Sequence, residues 1–237
     1  MILAAGLGTR LRPLTDRVPK ALIEVGGVPI LERVALRLIA AGADRLVINL
    51  HHLGDVVRDF VASRDCFGVE VVYSEEPDRA LETGGGVLQA MPLLSGTSPF
   101  FLHNADILTD LPLEEMYMVH RTSGALATLA VMERSSSRYL LFDDEGLFGR
   151  VDEGKEIRIE ARERRGAETR LAFGGVHVIA GEFPALLTET GAFSILDPYL
   201  RLAGEGRRIV PYRIDGYHWI DIGKPDQLEE ARRAFGR

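Results

Sequence analysis

An apolar run at Met1–Ala4 leads into a glycine turn, and from there strand-like and helix-like spacing take turns through the first half of the chain. Ile30, Leu31, Val34, Leu38 and Ile39 repeat with the period of a helix over Ile30–Ala41, which Gly42 caps. Arg45–Leu50 is a buried-type strand, Val56–Ser63 a second helix, and Val69–Tyr73 a third strand ending at Ser74. The pattern continues with a helix over Gly86–Leu94, a strand over Phe100–Asn104, a helix over Leu113–Thr122 and a strand over Leu126–Met132. Parallel neighbours need a crossover of a dozen or more residues, so this alternation predicts an α/β fold with a doubly wound, mainly parallel sheet.

The character changes near Arg138. Tyr139–Phe142, the Asp143-Asp144-Glu145-Gly146 turn and Leu147–Val151 read as a hairpin. The charged stretch from Asp152 to Arg170 reads as solvated loop or edge strand, and Phe173–Ile179 returns to a core strand. Ile209–Arg213 and Tyr217–Ile220 are two further short strands, and a closing helix over Pro225–Phe235 starts with proline at its first position. The expectation is one domain over 1–237, with a small β-rich lobe built mainly from 133–237.

Charge narrows the partners. The 28 basic and 35 acidic residues sum to −7, which argues against a protein that tracks a nucleic-acid backbone. The single cysteine, Cys66, forms no internal disulfide and supports no thiolate metal site. No window reaches the ~20 apolar residues that span a bilayer, and a cytoplasmic protein is expected. The basic set is lopsided, with 25 arginines against only Lys20, Lys155 and Lys224.

The residues with chemistry cluster in short motifs. Ala4-Ala5-Gly6-Leu7-Gly8-Thr9-Arg10-Leu11 follows the first strand, where glycines let backbone N–H groups approach an anion and Arg10 and Lys20 can reach its oxygens. The spacing is neither a Walker A loop nor a dinucleotide-binding fingerprint. Asp106 follows a strand, at the carboxyl end where open α/β sheets place ligands, and Asp221 sits similarly after Tyr217–Ile220. Two carboxylates beside phosphates suit Mg²⁺, which takes oxygen ligands and keeps several waters.

These motifs resemble those of the sugar-phosphate nucleotidylyltransferases. The pattern G-x-G-T-R-L, P-L-T, P-K-A is matched at Gly6–Leu11, Pro13–Thr15 and Pro19–Ala21. The resemblance continues, in the family's order, through Leu81–Gly86, Asn104-Ala105-Asp106, Phe173–Val176 and Trp219–Pro225. It is strongest to the short, single-domain uridylyl- and guanylyltransferases of the family.

The resemblance implies a Rossmann-like, doubly wound mixed sheet of the nucleotide-diphospho-sugar transferase type. Residues 1–132 would mainly bind nucleotide, and 133–237 would supply the sugar-binding lobe, the second metal aspartate and the closing helix. The substrates would be an NTP, UTP before GTP, and a sugar-1-phosphate, joined by Mg²⁺-assisted in-line attack with release of pyrophosphate. By the same resemblance Arg10 and Lys20 hold the phosphates as catalytic residues, and Asp106 and Asp221 hold the metal. Ala4, Ala5, Gly6, Gly8, Thr9, Glu82, Thr83, Gly84 and Gly85 contact the nucleotide, and Gly175 the sugar phosphate. The protein would act as a monomer or homodimer without membrane or nucleic acid. The alternatives are a noncatalytic relative that binds nucleotide-sugar, a metal-dependent glycosyltransferase, and a cytidylyltransferase acting on an alcohol phosphate.

The chain also departs from the family's pattern. Ala105 replaces a common glycine, Gly174 replaces a common Thr, Ser or Asn, and no Glu-Lys-Pro triplet occurs between Arg150 and Arg170. Lys155 reads as solvated, which leaves Lys224, beside Asp221, as the candidate to contact the sugar phosphate. His51 and His52 read as turn residues, and Trp219 as an anchor that positions Asp221.

Overall fold

The computed structural model describes residues 1–94, 96 and 98–235. In chain order the elements are β1 (Ile2–Leu3), β2 (Glu24–Val25), β3 (Val28–Pro29), α1 (Ile30–Ala40), β4 (Arg45–Leu50), α2 (Gly54–Ser63), β5 (Glu70–Glu75), α3 (Glu82–Gln89), α4 (Met91–Leu94), β6 (Phe100–Asn104) and β7 (Ile107–Thr109). The second half adds α5 (Leu113–Ser123), β8 (Ala127–Met132), β9 (Arg138–Asp143), β10 (Gly146–Asp152), β11 (Ile157–Glu160), β12 (Thr169–Ile179), α6 (Leu196–Gly204), β13 (Ile209–Arg213), β14 (Trp219–Asp221) and α7 (Pro225–Phe235).

The centre of the sheet is parallel: β1 pairs with β4 on one side and β6 on the other, and β4 pairs with β5. From β1 the chain first winds outward to β4 and β5, then returns to place β6 on β1's other side. Such a reversal opens a crevice at the strands' carboxyl ends. Beyond β6 the sheet turns antiparallel through β12, which also pairs with β8, while β13 lies parallel to β8. No helix among the described residues is long and apolar enough to cross a membrane.

Side chains along each strand alternate between two cores, as the pleat requires. In β4, Leu46, Ile48 and Leu50 join the core packed with α1 and α2, whereas Val47 joins Val87 and Tyr199 on the opposite face. Both faces are thus covered, which accounts for the consecutive apolar residues Leu46-Val47-Ile48 in β4.

Strand β12 changes partner along its length. Thr169–Leu171 pair with β9, and Val176–Ile179 with β6. Between these stretches its register against β8 shifts, at Gly174-Gly175. Gly175 has φ +75, and a Cβ there would come 2.8 Å from Ile107 Cγ1 and 2.9 Å from Asn104 Nδ2. A glycine is therefore needed where the strand leaves the main sheet for the β9–β10–β11 lobe.

The expected hairpin is β9–β10, and the charged stretch contributes the exposed edge strand β11. One helix differs from expectation. The segment expected over Gly86–Leu94 begins at Glu82 and breaks after Gln89, with Pro92 inside the short helix that follows. Gly84 and Gly85, which precede the expected start, are placed by packing inside its first turns. A Cβ on Gly84 would meet Phe193 Cε2 at 2.4 Å, and one on Gly85 the Gly191 carbonyl at 2.5 Å. Close approach of the 191–195 segment thus overrides glycine's weak helix propensity.

Candidate active site

The crevice is a cleft of about 190 Å³. Leu3–Gly6 after β1, Asn49 at the end of β4, Glu76 after β5 and Asn104–Asp106 after β6 form its walls, with Lys20, Glu82 and Thr83 at its sides. Every strand of the parallel centre therefore contributes its carboxyl end. The structure brings Ala4, Ala5, Gly6, Lys20, Glu82, Thr83 and Asp106 into this cleft.

The glycine turn is shaped by the residues that follow it. Gly8 has φ +62, and the Thr15 hydroxyl donates to its carbonyl at 2.8 Å. The Pro-Leu-Thr motif thus acts as a buttress, with Thr15 buried beneath the loop. Among the described residues no acceptor engages the N–H groups of Gly6, Leu7 and Gly8. Successive free N–H groups of this kind form a concave site for an anion. Thr9 and Arg10 follow on an exposed turn of 3₁₀ helix.

Ala4 and Ala5 line the cleft with their N–H groups already committed. Both donate to Asn49 Oδ1, at 2.6 and 3.3 Å. Asn49 Nδ2 donates to Glu76 Oε1 at 2.6 Å, and the other oxygen of Glu76 accepts the Leu81 N–H at 2.8 Å. Asn49 and Glu76 are almost fully buried, so this relay ties the glycine turn after β1 to the segment entering α3. Sequence reasoning missed both residues. The available signal was a polar Asn at the end of an otherwise apolar strand and an acidic residue just beyond the next.

The α3 entrance divides its residues between two tasks. Glu82 faces the cleft with φ +59, a conformation that costs a non-glycine residue on the order of 1 kcal/mol. The N–H groups of Gly84 and Gly85 both point to the Phe193 carbonyl, at 2.9 and 3.3 Å, and Thr83 Oγ1 accepts the Ile195 N–H at 2.9 Å. Gly84 and Gly85 are buried in this packing, next to Glu82 and Thr83 of the cleft lining.

The segments of the two aspartates are joined through the β7–β14 ladder. Asp221 pairs with Ile107, and the Ile222 N–H donates to the Asp106 carbonyl at 3.0 Å. Lys20 Nζ donates to Asp106 Oδ2, with the lysine side chain 11% and the aspartate 28% exposed. Asp221 Oδ1 accepts the Gly223 N–H at 2.7 Å. A Cβ on Gly223 would lie 2.7 Å from Arg10 Nη2 and 2.9 Å from Asp221 Oδ1. The first glycine loop and the Trp-Ile-Asp-Ile-Gly segment, at opposite ends of the sequence, therefore close on each other.

Trp219 is held by an Nε1 bond to the Gly174 carbonyl at 2.7 Å, and the Arg134 guanidinium stacks over its ring at 4.6 Å. Burial lowers the Arg134 pKa while the charge of Asp221 raises it. Gly175 is buried beside Asn104, and Lys224 is exposed at the entrance to α7. His51 Nδ1 bonds the Glu76 carbonyl at 2.6 Å.

The donor set fits a hard divalent cation. No cluster of three or more His, Cys, Asp or Glu exists among the described residues, and Asp106 and Asp221, on backbone-paired segments, would suit an ion that takes its remaining oxygens from water and phosphate. Asn104 Oδ1, beside Asp106 at the cleft, is a buried oxygen without a partner.

Comparison with known proteins agrees with this geometry. The family model described as nucleotidyl transferase matches residues 1–153. The chain is 35% identical over 242 residues to N-acetylmuramate alpha-1-phosphate uridylyltransferase of Neisseria meningitidis serogroup B, covering 100% of this chain and 97% of the relative. It is 34% identical over 248 residues to the protein of the same name from Caulobacter vibrioides, covering 99% and 96%. Among solved structures, UDP-glucose pyrophosphorylase from Acinetobacter baumannii superposes with a TM-score of 0.79 at 19% identity, covering 99% of this chain and 92% of the other.

Proposed function

The chain belongs to the nucleotidyl transferase family, and from that membership we propose that it transfers the uridylyl group of UTP to N-acetylmuramate 1-phosphate. The coarser activity, nucleotidyl transfer to a sugar phosphate, is common to the relatives it matches along its whole length. The observation that carries the reading is the Lys20–Asp106 pair on a cleft with free backbone N–H groups, with the Asp221 segment paired to that of Asp106 and Arg10 lying against Gly223.

In this reaction a phosphate oxygen of the sugar-1-phosphate attacks the α-phosphorus in line. The bond to the bridging oxygen breaks, and its electrons leave with pyrophosphate. The attacking phosphate is ionised near neutral pH, so no general base is required. The work of the protein is to hold two anions together and screen their repulsion.

The N–H groups of Gly6, Leu7 and Gly8 cradle the triphosphate, and Arg10 faces the departing phosphates. Lys20 exchanges Asp106 for a phosphate oxygen as the nucleotide enters, keeping its charge at the reacting centre. Asp106 and Asp221 would hold Mg²⁺, which when bound supplies Lewis-acid neutralisation of the phosphate oxygens. Glu82 and Thr83 border the base and ribose. Gly175 leaves room for the sugar phosphate, and Lys224 stands at that side to meet it.

The noncatalytic alternative is disfavoured by the retention of all four charged residues. A glycosyltransferase has no use for the triphosphate cradle. The test is pyrophosphate release across the common NTPs and the 1-phosphates of N-acetylmuramate, N-acetylglucosamine, glucose and mannose. UTP with N-acetylmuramate 1-phosphate should give the highest kcat/KM by at least tenfold, with Asp106→Asn and chelator as inactive controls. Equal use of another pair would refute the specificity, and no release with any pair would favour the noncatalytic alternative.

A further inference from the structure

A second cavity, of about 310 Å³, lies in the β-rich lobe outside the nucleotide cleft. Its basic lining is Arg134, Arg138, Arg150 and Lys155, and its only carboxylate among the lining residues is Asp152. Phe173, Tyr139, Leu140 and Leu196 supply apolar surface. Such a cavity offers cations around a floor on which a sugar ring and its methyl groups can rest.

The charges here stand apart from those around them. Across the same lobe Arg150, Arg158, Arg162, Arg164, Arg165 and Arg170 each pair with a carboxylate. Among the described residues Arg138 and Lys155 pair with no carboxylate, while Arg134 makes no salt bridge but lies within the field of Asp221. Asp152 forms no salt bridge with them; its Oδ1 accepts the backbone N–H of Lys155 at 3.2 Å, and the lining stays net positive with four cations to one carboxylate. A lobe that pairs nearly all its arginines thus leaves Arg138 and Lys155 free on one cavity, beside an Arg134 that leans toward Trp219 and Asp221.

The cavity also connects with the reacting end of the molecule. Arg134 stacks on Trp219, two residues before Asp221. Phe173 precedes Gly174, whose carbonyl holds the Trp219 indole. An acceptor with its phosphate at Asp221 can therefore extend along Trp219 and Phe173 into the cavity.

We propose that this cavity selects an acceptor with a second anionic group, a carboxylate on the sugar, which Arg138 and Lys155 receive while Arg134 bridges toward the reacting phosphate. This inference rests on the acceptor proposed above, since N-acetylmuramate differs from N-acetylglucosamine by an ether-linked lactate. A planar guanidinium presents a two-pronged donor to a carboxylate, and the lysine adds a mobile point charge. Both reach the ligand from an exposed rim, so their substitution leaves the folded core untouched.

The experiment compares N-acetylmuramate 1-phosphate with its lactate methyl ester, which keeps the shape and removes the charge, in wild type, Arg138→Gln and Lys155→Gln. In wild type the ester should have a KM at least tenfold above the acid at similar kcat. In each variant that ratio should fall to within about threefold, mainly because KM for the acid rises. Equal KM values for acid and ester in wild type, or variants that raise both alike, would overturn the inference and assign the cations to the phosphate. If neither acceptor reacts with any NTP, the functional reading fails on its own. Calorimetric titration of N-acetylmuramate 1-phosphate then decides the cavity: weaker binding in Arg138→Gln supports it, and unchanged binding overturns it.

Discussion

Lys20 and Asp106, 86 residues apart in sequence, are joined as an ion pair on the lining of the cleft. The pair sets an ammonium and a carboxylate side by side on the lining of the cleft, at the carboxyl ends of the parallel strands. Lys20 is one of only three lysines in a chain that otherwise uses arginine. A compact ammonium can approach a single oxygen from a nearly closed position that a planar fork would not fit.

Lys20→Met should therefore lower kcat/KM for nucleotidyl transfer by about a hundred- to a thousandfold, the usual loss when a charge-stabilising donor is removed. Lys20→Arg should recover less than a tenth of the activity. Circular dichroism and thermal melting would establish that both variants fold. Wild-type turnover in Lys20→Met would refute the phosphate role.

Gly223 allows Arg10 to lie against the Asp221 segment. An alanine Cβ would fall 2.7 Å from Arg10 Nη2, so the guanidinium, an exposed and flexible group, should swing away. Gly223→Ala should reduce kcat by roughly tenfold while changing stability by less than ~1 kcal/mol. Steady-state kinetics paired with urea denaturation separates the two effects; a large loss of stability would make the glycine structural instead.

The Asn49–Glu76 relay predicts coupling between stability and nucleotide binding. Asn49→Ala leaves the Ala4 and Ala5 N–H groups and one Glu76 oxygen without their partner. Unsatisfied buried groups cost about 1–3 kcal/mol each, less where water enters from the cleft. The unfolding free energy should fall by about 3 kcal/mol, and KM for the NTP should rise several-fold at a smaller change in kcat. A drop in stability with unchanged KM would restrict the relay to a structural role.

Stability should fall on mild acidification. Burial lowers the pKa of His103 to about 4 and of His177 to about 3, whereas an unfolded histidine titrates near 6.5. As the pH drops from 7 to 5 the unfolded chain takes up protons that these two imidazoles refuse, so each lowers stability by at most about 2 kcal/mol. His177 also bonds the Tyr199 hydroxyl at 2.9 Å. Urea midpoints should decrease between pH 7 and 5, and His177→Gln, which preserves a hydrogen-bonding side chain, should show a smaller decrease. The same slope in both proteins would exclude His177 from the effect.

Some elements were legible because their signals are local. Arg45–Leu50, Phe100–Asn104, Ile209–Arg213 and Pro225–Phe235 have the bounds their spacing predicts. The segments that escaped detection depend on distant partners. β7 is three residues long, too short to display a period, and exists because it pairs with β14, whose expected span of Tyr217–Ile220 is shifted to Trp219–Asp221 by the same pairing. Helix α6 (Leu196–Gly204), which sequence reading left unassigned, is amphipathic and buries Tyr199 and Leu202 against the far face of the sheet. The expected start of α3 was displaced because its glycines serve contact with Phe193 rather than an open loop.

The sequence by itself determined the alternation that requires a doubly wound sheet, the hairpin lobe, and the short motifs containing Arg10, Lys20, Asp106 and Asp221, since periodicity and motif spacing are properties of neighbouring residues. Only the tertiary structure decided which of these residues meet. It paired the segment of Asp221 with that of Asp106, engaged the N–H groups of Ala4 and Ala5 with Asn49, buried Gly84 and Gly85 against Phe193 and Gly191, and gathered Arg134, Arg138 and Lys155 on one cavity. Such meetings are set by strand pairing and close packing across the length of the chain, and local spacing carries no record of them.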